Sequence, residues 1–65
     1  MSKFCLFQNV KLVSDKYSNE NLHKGSVGTI LEIWDDKNYE VEFCYENGET
    51  LYLGTFCEAE LEETM

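Results

Sequence analysis

Hydrophobic and polar positions alternate most cleanly over Tyr39–Tyr45. There Tyr39, Val41, Phe43 and Tyr45 interleave with Glu40, Glu42 and Cys44. Period two with β-branched and aromatic residues is a strand signal, and it predicts the aromatic set inward and the glutamates outward. Asn47-Gly48 follows, the preferred pair for a two-residue type I′ hairpin. It leads into a further predicted strand, TLYLGTF, where Leu51 and Leu53 alternate with Thr50 and Tyr52.

Upstream, Phe7–Val13 reads as a first strand and Ser14–Leu22 as a polar loop rich in Ser, Asp and Asn. HKGSVG then places glycines at 25 and 28. Gly25 suits a turn of positive φ, and Gly28 inside an apolar run suggests a bulge or tight bend. VGTILEIW is a second strand of ambiguous parity: one possible inner set is Val27, Leu31 and Ile33, with Ile30 and Trp34 on the other face. DDKN (35–38) is a turn. The closing CEAELEETM reads as a short strand or a single helical turn anchored by Leu61. Four to five short antiparallel strands joined by tight turns predict an all-β fold, a small barrel spanning 1–65 as one domain. Closure would also hide edges that a proline-free chain leaves unprotected.

Length narrows the options. At 65 residues the chain supports one small core, filled by four Phe, four Tyr and one Trp. No run approaches the ~18 apolar residues of a membrane span, and the first residues do not read as a secretion signal. A cytoplasmic protein is expected. Three widely spaced cysteines, Cys5, Cys44 and Cys57, form neither a disulfide framework nor paired zinc ligands, so no metal or cofactor is expected.

Charge changes the picture most. The net charge is −8, with no arginine. Residues 1–31 carry four lysines against Asp15 and Glu20, a balance of +2, whereas residues 32–65 carry Lys37 against eleven acids, a balance of −10. Such a chain repels phosphate backbones, so direct nucleic-acid binding is disfavoured.

LHKGSVGTILEIWDDKNYEVEF (22–43) resembles the K-x-G-x-x-G-T-[IV] opening of SH3-like barrels, including the KOW class. The whole chain is similar to a bacterial family of short SH3-like proteins of unknown function. The matching residues are Lys24, Gly25, Val27, Gly28, Thr29, Ile30, Glu32, Tyr39, Glu40, Val41, Glu42, Phe43, Gly48, Thr50 and Leu61. The resemblance implies an SH3-like barrel and, through the toxin-like or effector-like neighbours of such proteins, an antitoxin or immunity role. It supplies no catalytic residue.

The chemistry of the chain itself supplies none either. Glu40 and Glu42 sit on a wetted strand face, where neither has the dry pocket that raises a general acid's pKa. His23 has no cysteine brought beside it by any motif. HKGSVG lacks the order of a phosphate loop and opens a strand. An enzyme is not expected.

What remains is electrostatic. Glutamates facing one another across strands cost about 0.2–1 kcal/mol each, a noticeable share for so small a domain. The expectation is therefore a small acidic protein-binding module with a basic protein partner: an immunity protein or antitoxin against a nuclease-type toxin. Its partner-binding residues would be Glu32, Trp34, Asp35, Asp36, Glu40, Glu42, Glu46, Glu49 and Tyr52. Trp34 would be either an interface anchor or a plug in the barrel. The alternatives are an accessory subunit of a larger enzyme, or a KOW-like RNA- or ribosome-associated module using Lys3, Lys11, Lys16 and Lys24.

Overall fold

The computed structural model describes residues 2–64. Five strands form one antiparallel sheet: β1 Asn9–Leu12, β2 Val27–Asp35, β3 Asn38–Cys44, β4 Thr50–Cys57 and β5 Leu61–Glu63, in the order β4-β3-β2-β1-β5. β4 and β5 lie at opposite ends of that order, yet only the 3₁₀ turn Glu58–Glu60 separates them in the chain. So short a link forces the sheet to curl round on itself, giving the small barrel-like fold. Among the described residues β4 and β5 do not pair, so the closure expected to hide the sheet's edges is not completed. Two backbone bonds anchor the ends of that turn by continuing the β3–β4 and β1–β5 ladders: Glu58 N–H to the Lys37 carbonyl (2.7 Å) and Val13 N–H to the Glu60 carbonyl (2.8 Å).

The curled sheet encloses Val10, Leu12, Ile30, Tyr39, Val41, Phe43, Phe56 and Leu61, all buried. Phe4 and Leu22, from segments without strand periodicity, complete this core. Phe4 packs edge-on against Tyr39 at 5.3 Å, and Phe43 against Phe56 at 5.3 Å. The Tyr39 hydroxyl accepts hydrogen bonds from the backbone N–H of Lys3 (3.0 Å) and Phe4 (3.3 Å), tying the N-terminal segment to β3.

β3 alternates as its sequence predicts, with Tyr39, Val41 and Phe43 inward; the strand ends at Cys44, and Tyr45 is exposed. The parity of β2 differs from an inner set of Val27, Leu31 and Ile33. Ile30 is buried, Val27 and Trp34 are exposed, and Leu31 and Ile33 are half-buried. A bulge explains it. Ile30 pairs with Val41, but Glu32 already pairs with Glu40, so Leu31 is an extra residue that resets the alternation. This bulge is thus at Leu31 and not at Gly28, and a second shift between Ile33 and Asp35 leaves Trp34 as an extra residue at the strand's end. Gly28 is instead a point of close approach, where a Cβ would stand 2.8 Å from both the Phe43 ring and the Glu42 carbonyl.

β4 is inverted by the same device. Phe43 pairs with Tyr52 and Cys44 with Thr50, which leaves Leu51 as the extra residue. Tyr52 therefore packs toward the core and Leu53 points outward, opposite to simple alternation. The Asn47-Gly48 hairpin is also not type I′. Gly48 has φ +91 while Asn47 keeps a negative φ, and Gly48 N–H returns to the Tyr45 carbonyl (2.9 Å). This is the three-residue loop, a type I turn closed by glycine in the left-handed region. Gly25, at φ +96, takes the positive-φ role expected of it. Phe7 falls before β1, at φ 65 and largely exposed.

Candidate interaction surface

The outward face of β2, β3 and β4 gathers part of the acidic set. Glu32 lies directly opposite Glu40, and Glu42 lies between Thr29 on β2 and Leu53 on β4. Directly opposed Cα atoms in such a ladder are about 4.5–5.5 Å apart, so the first pair sets two glutamates on neighbouring positions of adjacent strands. Neighbouring hydroxyls and one indole hold the Glu40 and Glu42 carboxylates. The Thr55 hydroxyl donates to Glu40 Oε1 (3.0 Å) and the Trp34 Nε1–H to the same oxygen (3.2 Å). The Thr50 hydroxyl donates to Glu42 Oε2 (2.6 Å). Among the described residues lysine forms ion pairs elsewhere: Lys11 with Glu62 at 3.0 Å and Lys16 with Glu60 at 3.8 Å. No lysine ion pair reaches Glu32, Glu40 or Glu42 among them.

Trp34 is 59% exposed, and Leu53, 51% exposed, stands beside Glu42. Trp34 is therefore not a plug: the indole lies outside the barrel, its ring nitrogen donating to Glu40. Leu53 is not among the residues expected here, where the sequence pointed to Tyr52, its neighbour of opposite parity.

The other acids occupy different ground. Asp35 is engaged in the β2–β3 turn, where its carboxylate accepts from Lys37 N–H (2.8 Å) and from the Asn38 side-chain amide (3.1 Å). Those bonds, the Lys37 N–H foremost, hold its carboxyl below the usual carboxylate range. Asp36 occupies the tip of the same turn, its carbonyl accepting from the Tyr39 hydroxyl (3.4 Å). Glu46 and Glu49 sit at the far end of β3, a strand length of about 23 Å away. Glu49 is bound up with Asn47, whose side chain both donates to its carboxylate (3.1 Å) and accepts from its N–H (3.0 Å). Tyr52 stands apart from all of these. Its ring packs against Phe56 and Tyr17 at 5.8 Å each, and desolvation first, then the charge of Glu20, pushes its pKa up.

Cys5, Cys44 and Cys57 are free and exposed. The described residues contain no group of three or more His, Cys, Asp or Glu that could hold a metal ion. None of their helices is long and apolar enough to cross a membrane.

Residues 6–63 match the model of a family described as a domain of unknown function, DUF4926. The chain belongs to this family. Neither a curated protein nor a solved structure matches it. All nine predicted binding residues fall within the DUF4926 span, as do the five strands. Phe4, although fully buried in the core, lies outside it.

Proposed function

We propose that this DUF4926 protein is a small interaction module that docks the outer face of β2–β3–β4 onto a basic protein. Glu32, Glu40 and Glu42 supply the field, and Trp34 and Leu53 the apolar anchors. The most concrete form is a bacterial, cytoplasmic immunity protein or antitoxin that covers the cationic active site of a nuclease-type toxin. There its carboxylates take the place of substrate phosphates. The reading is carried by the Glu32–Glu40 pair, two glutamates set face to face on a solvated sheet with no lysine ion pair to either among the described residues. A cationic companion removes that repulsion, and complementary charge steers encounter toward rates of ~10⁸–10⁹ M⁻¹s⁻¹ at low salt. Lys11 and Lys16 are each engaged by a glutamate, which weighs against the KOW-like RNA alternative.

The test begins with capture of the partner from the host by the tagged chain. Association is then timed through Trp34 fluorescence between about 50 and about 500 mM salt, a range over which the screening length shortens several-fold. Steering requires the rate to fall steeply with salt, and an indifferent rate excludes it. Assaying the partner's activity with and without the chain separates the two protein-binding roles: loss of activity supports the inhibitor, and gain assigns an accessory subunit. Retention of RNA by the chain alone at physiological salt would replace both with the KOW-like reading.

A further inference from the structure

β4 ends the sheet, and beyond its bulge at Leu51 its edge carries no charged or proline guard. Thr50–Cys57 reads TLYLGTFC, without a proline or a charged residue, although natural edge strands are commonly blunted by such residues. Which backbone groups face outward follows from the pairing. Glu58 N–H bonds to the Lys37 carbonyl, so stepping by two gives Tyr39–Phe56, Val41–Gly54 and Phe43–Tyr52 as the hydrogen-bonded pairs. Leu53 and Thr55 therefore turn their N–H and C=O groups away from β3. Both residues are exposed, and among the described residues nothing hydrogen-bonds to their backbone from that side. The 3₁₀ turn closes the edge beyond them, since Cys57 N–H goes to Glu60 Oε1 (3.1 Å).

The charge beside this edge is directional. Thr55 and Thr50 belong to β4, and their hydroxyls bond the Glu40 and Glu42 carboxylates of β3 toward the open side. Outward-facing residues on the edge strand are short or apolar, so nothing charged stands between those carboxylates and an incoming chain.

We infer that the β4 edge takes an extended, lysine- or arginine-bearing segment of the protein partner as a sixth antiparallel strand. This deepens the function proposed above and rests on it for the sign of the charge; the edge geometry is independent of it. Residues of the added strand opposite Leu53 and Thr55 would bond to β4 through their own N–H and C=O, and their side chains would share the outer face. Their Cα atoms lie about 10 Å from those of Glu42 and Glu40, within reach of a lysine laid over Leu53 or Thr55. A second copy of this chain fits poorly, because β4–β4 pairing would join two chains of net charge −8.

The probe is a nine-residue peptide of alternating lysine and valine, titrated into the full chain and followed by amide NMR and hydrogen exchange. Slowed exchange at the Leu53 and Thr55 amides is expected. N-methylation of the lysine amides, which face β4, should weaken binding at least tenfold, whereas N-methylation of the valine amides should not. Leu53→Pro, which removes an outward N–H, should weaken binding similarly; if that variant unfolds, the methylated peptides still decide. No binding, or binding that lysine-amide methylation leaves intact, overturns the edge. Equal binding of a threonine–valine peptide, insensitive to Glu40→Gln, overturns the acidic reading but not the edge. Protection of Leu53 and Thr55 without peptide, with a dimer in sedimentation, shows the second copy and overturns the proposal.

Discussion

Gly28 and the ring of Phe43 meet across β2 and β3 so closely that a methyl group on Gly28 would lie 2.8 Å from the ring. The Glu42 carbonyl stands at the same distance, and backbone cannot swing aside as a side chain can. Gly28→Ala should thus destabilise by about 1–3 kcal/mol from overpacking, against which the usual gain of up to about 1 kcal/mol from stiffening the unfolded chain is too small. Urea denaturation measures it, and an unchanged or raised midpoint would contradict the contact.

The Tyr39 hydroxyl joins the N-terminal segment to the barrel by accepting from Lys3 and Phe4 N–H. Tyr39→Phe leaves the ring but strands a buried N–H at Phe4, at a cost of about 1–3 kcal/mol. Hydrogen exchange should quicken at Phe4 while the β2–β3 amides keep their relative protection. Uniform loss of protection would mean the hydroxyl braces the whole core and not this segment.

Glu60 reports on pH. Desolvation pushes its carboxyl up, but the Cys57 N–H, the Tyr17 hydroxyl (2.8 Å) and the charge of Lys16 outweigh it and hold the pKa below the ordinary glutamate value. A depressed folded pKa contributes stability above the unfolded value of about 4.3, and that contribution fades as pH falls through the folded value. Tyr17→Phe removes one of the holding bonds. It should lower stability near neutral pH by about 1 kcal/mol, and the gap from wild type should narrow below about pH 4. Urea midpoints at several pH values test this, and a gap independent of pH would refute the linkage.

Glu32 faces Glu40, so removing one charge should relieve the pair. Glu32→Gln is expected to stabilise by about 0.2–1 kcal/mol at low salt, and molar salt should erase the gain. Glu62→Gln, which loses the Lys11 ion pair, should give no such gain. Under the proposed function the Glu32 variant also associates more slowly with its basic partner. Thermal melts at two salt concentrations check the stability half.

The sequence alone determined whatever depends on near neighbours in the chain. The period of β3, the positions of the turns, the positive φ at Gly25 and the crowding of acids after residue 31 all follow from local pattern. Tertiary structure decided what depends on register. A bulge inserts one residue against a partner strand, and each insertion reverses the faces beyond it. So the extra residues Leu31 and Trp34 set the faces of β2, and Leu51 exchanged Tyr52 for Leu53 at the surface. Phe4 and Leu22 entered the core with no periodic signal, because the ends of a curled sheet are closed by whichever apolar side chain passes over them. The nine acidic and aromatic residues chosen from the sequence were likewise divided by the length and pairing of β3: Glu32, Trp34, Glu40 and Glu42 came together on one face, while the turns carried the rest of the acids to its two ends.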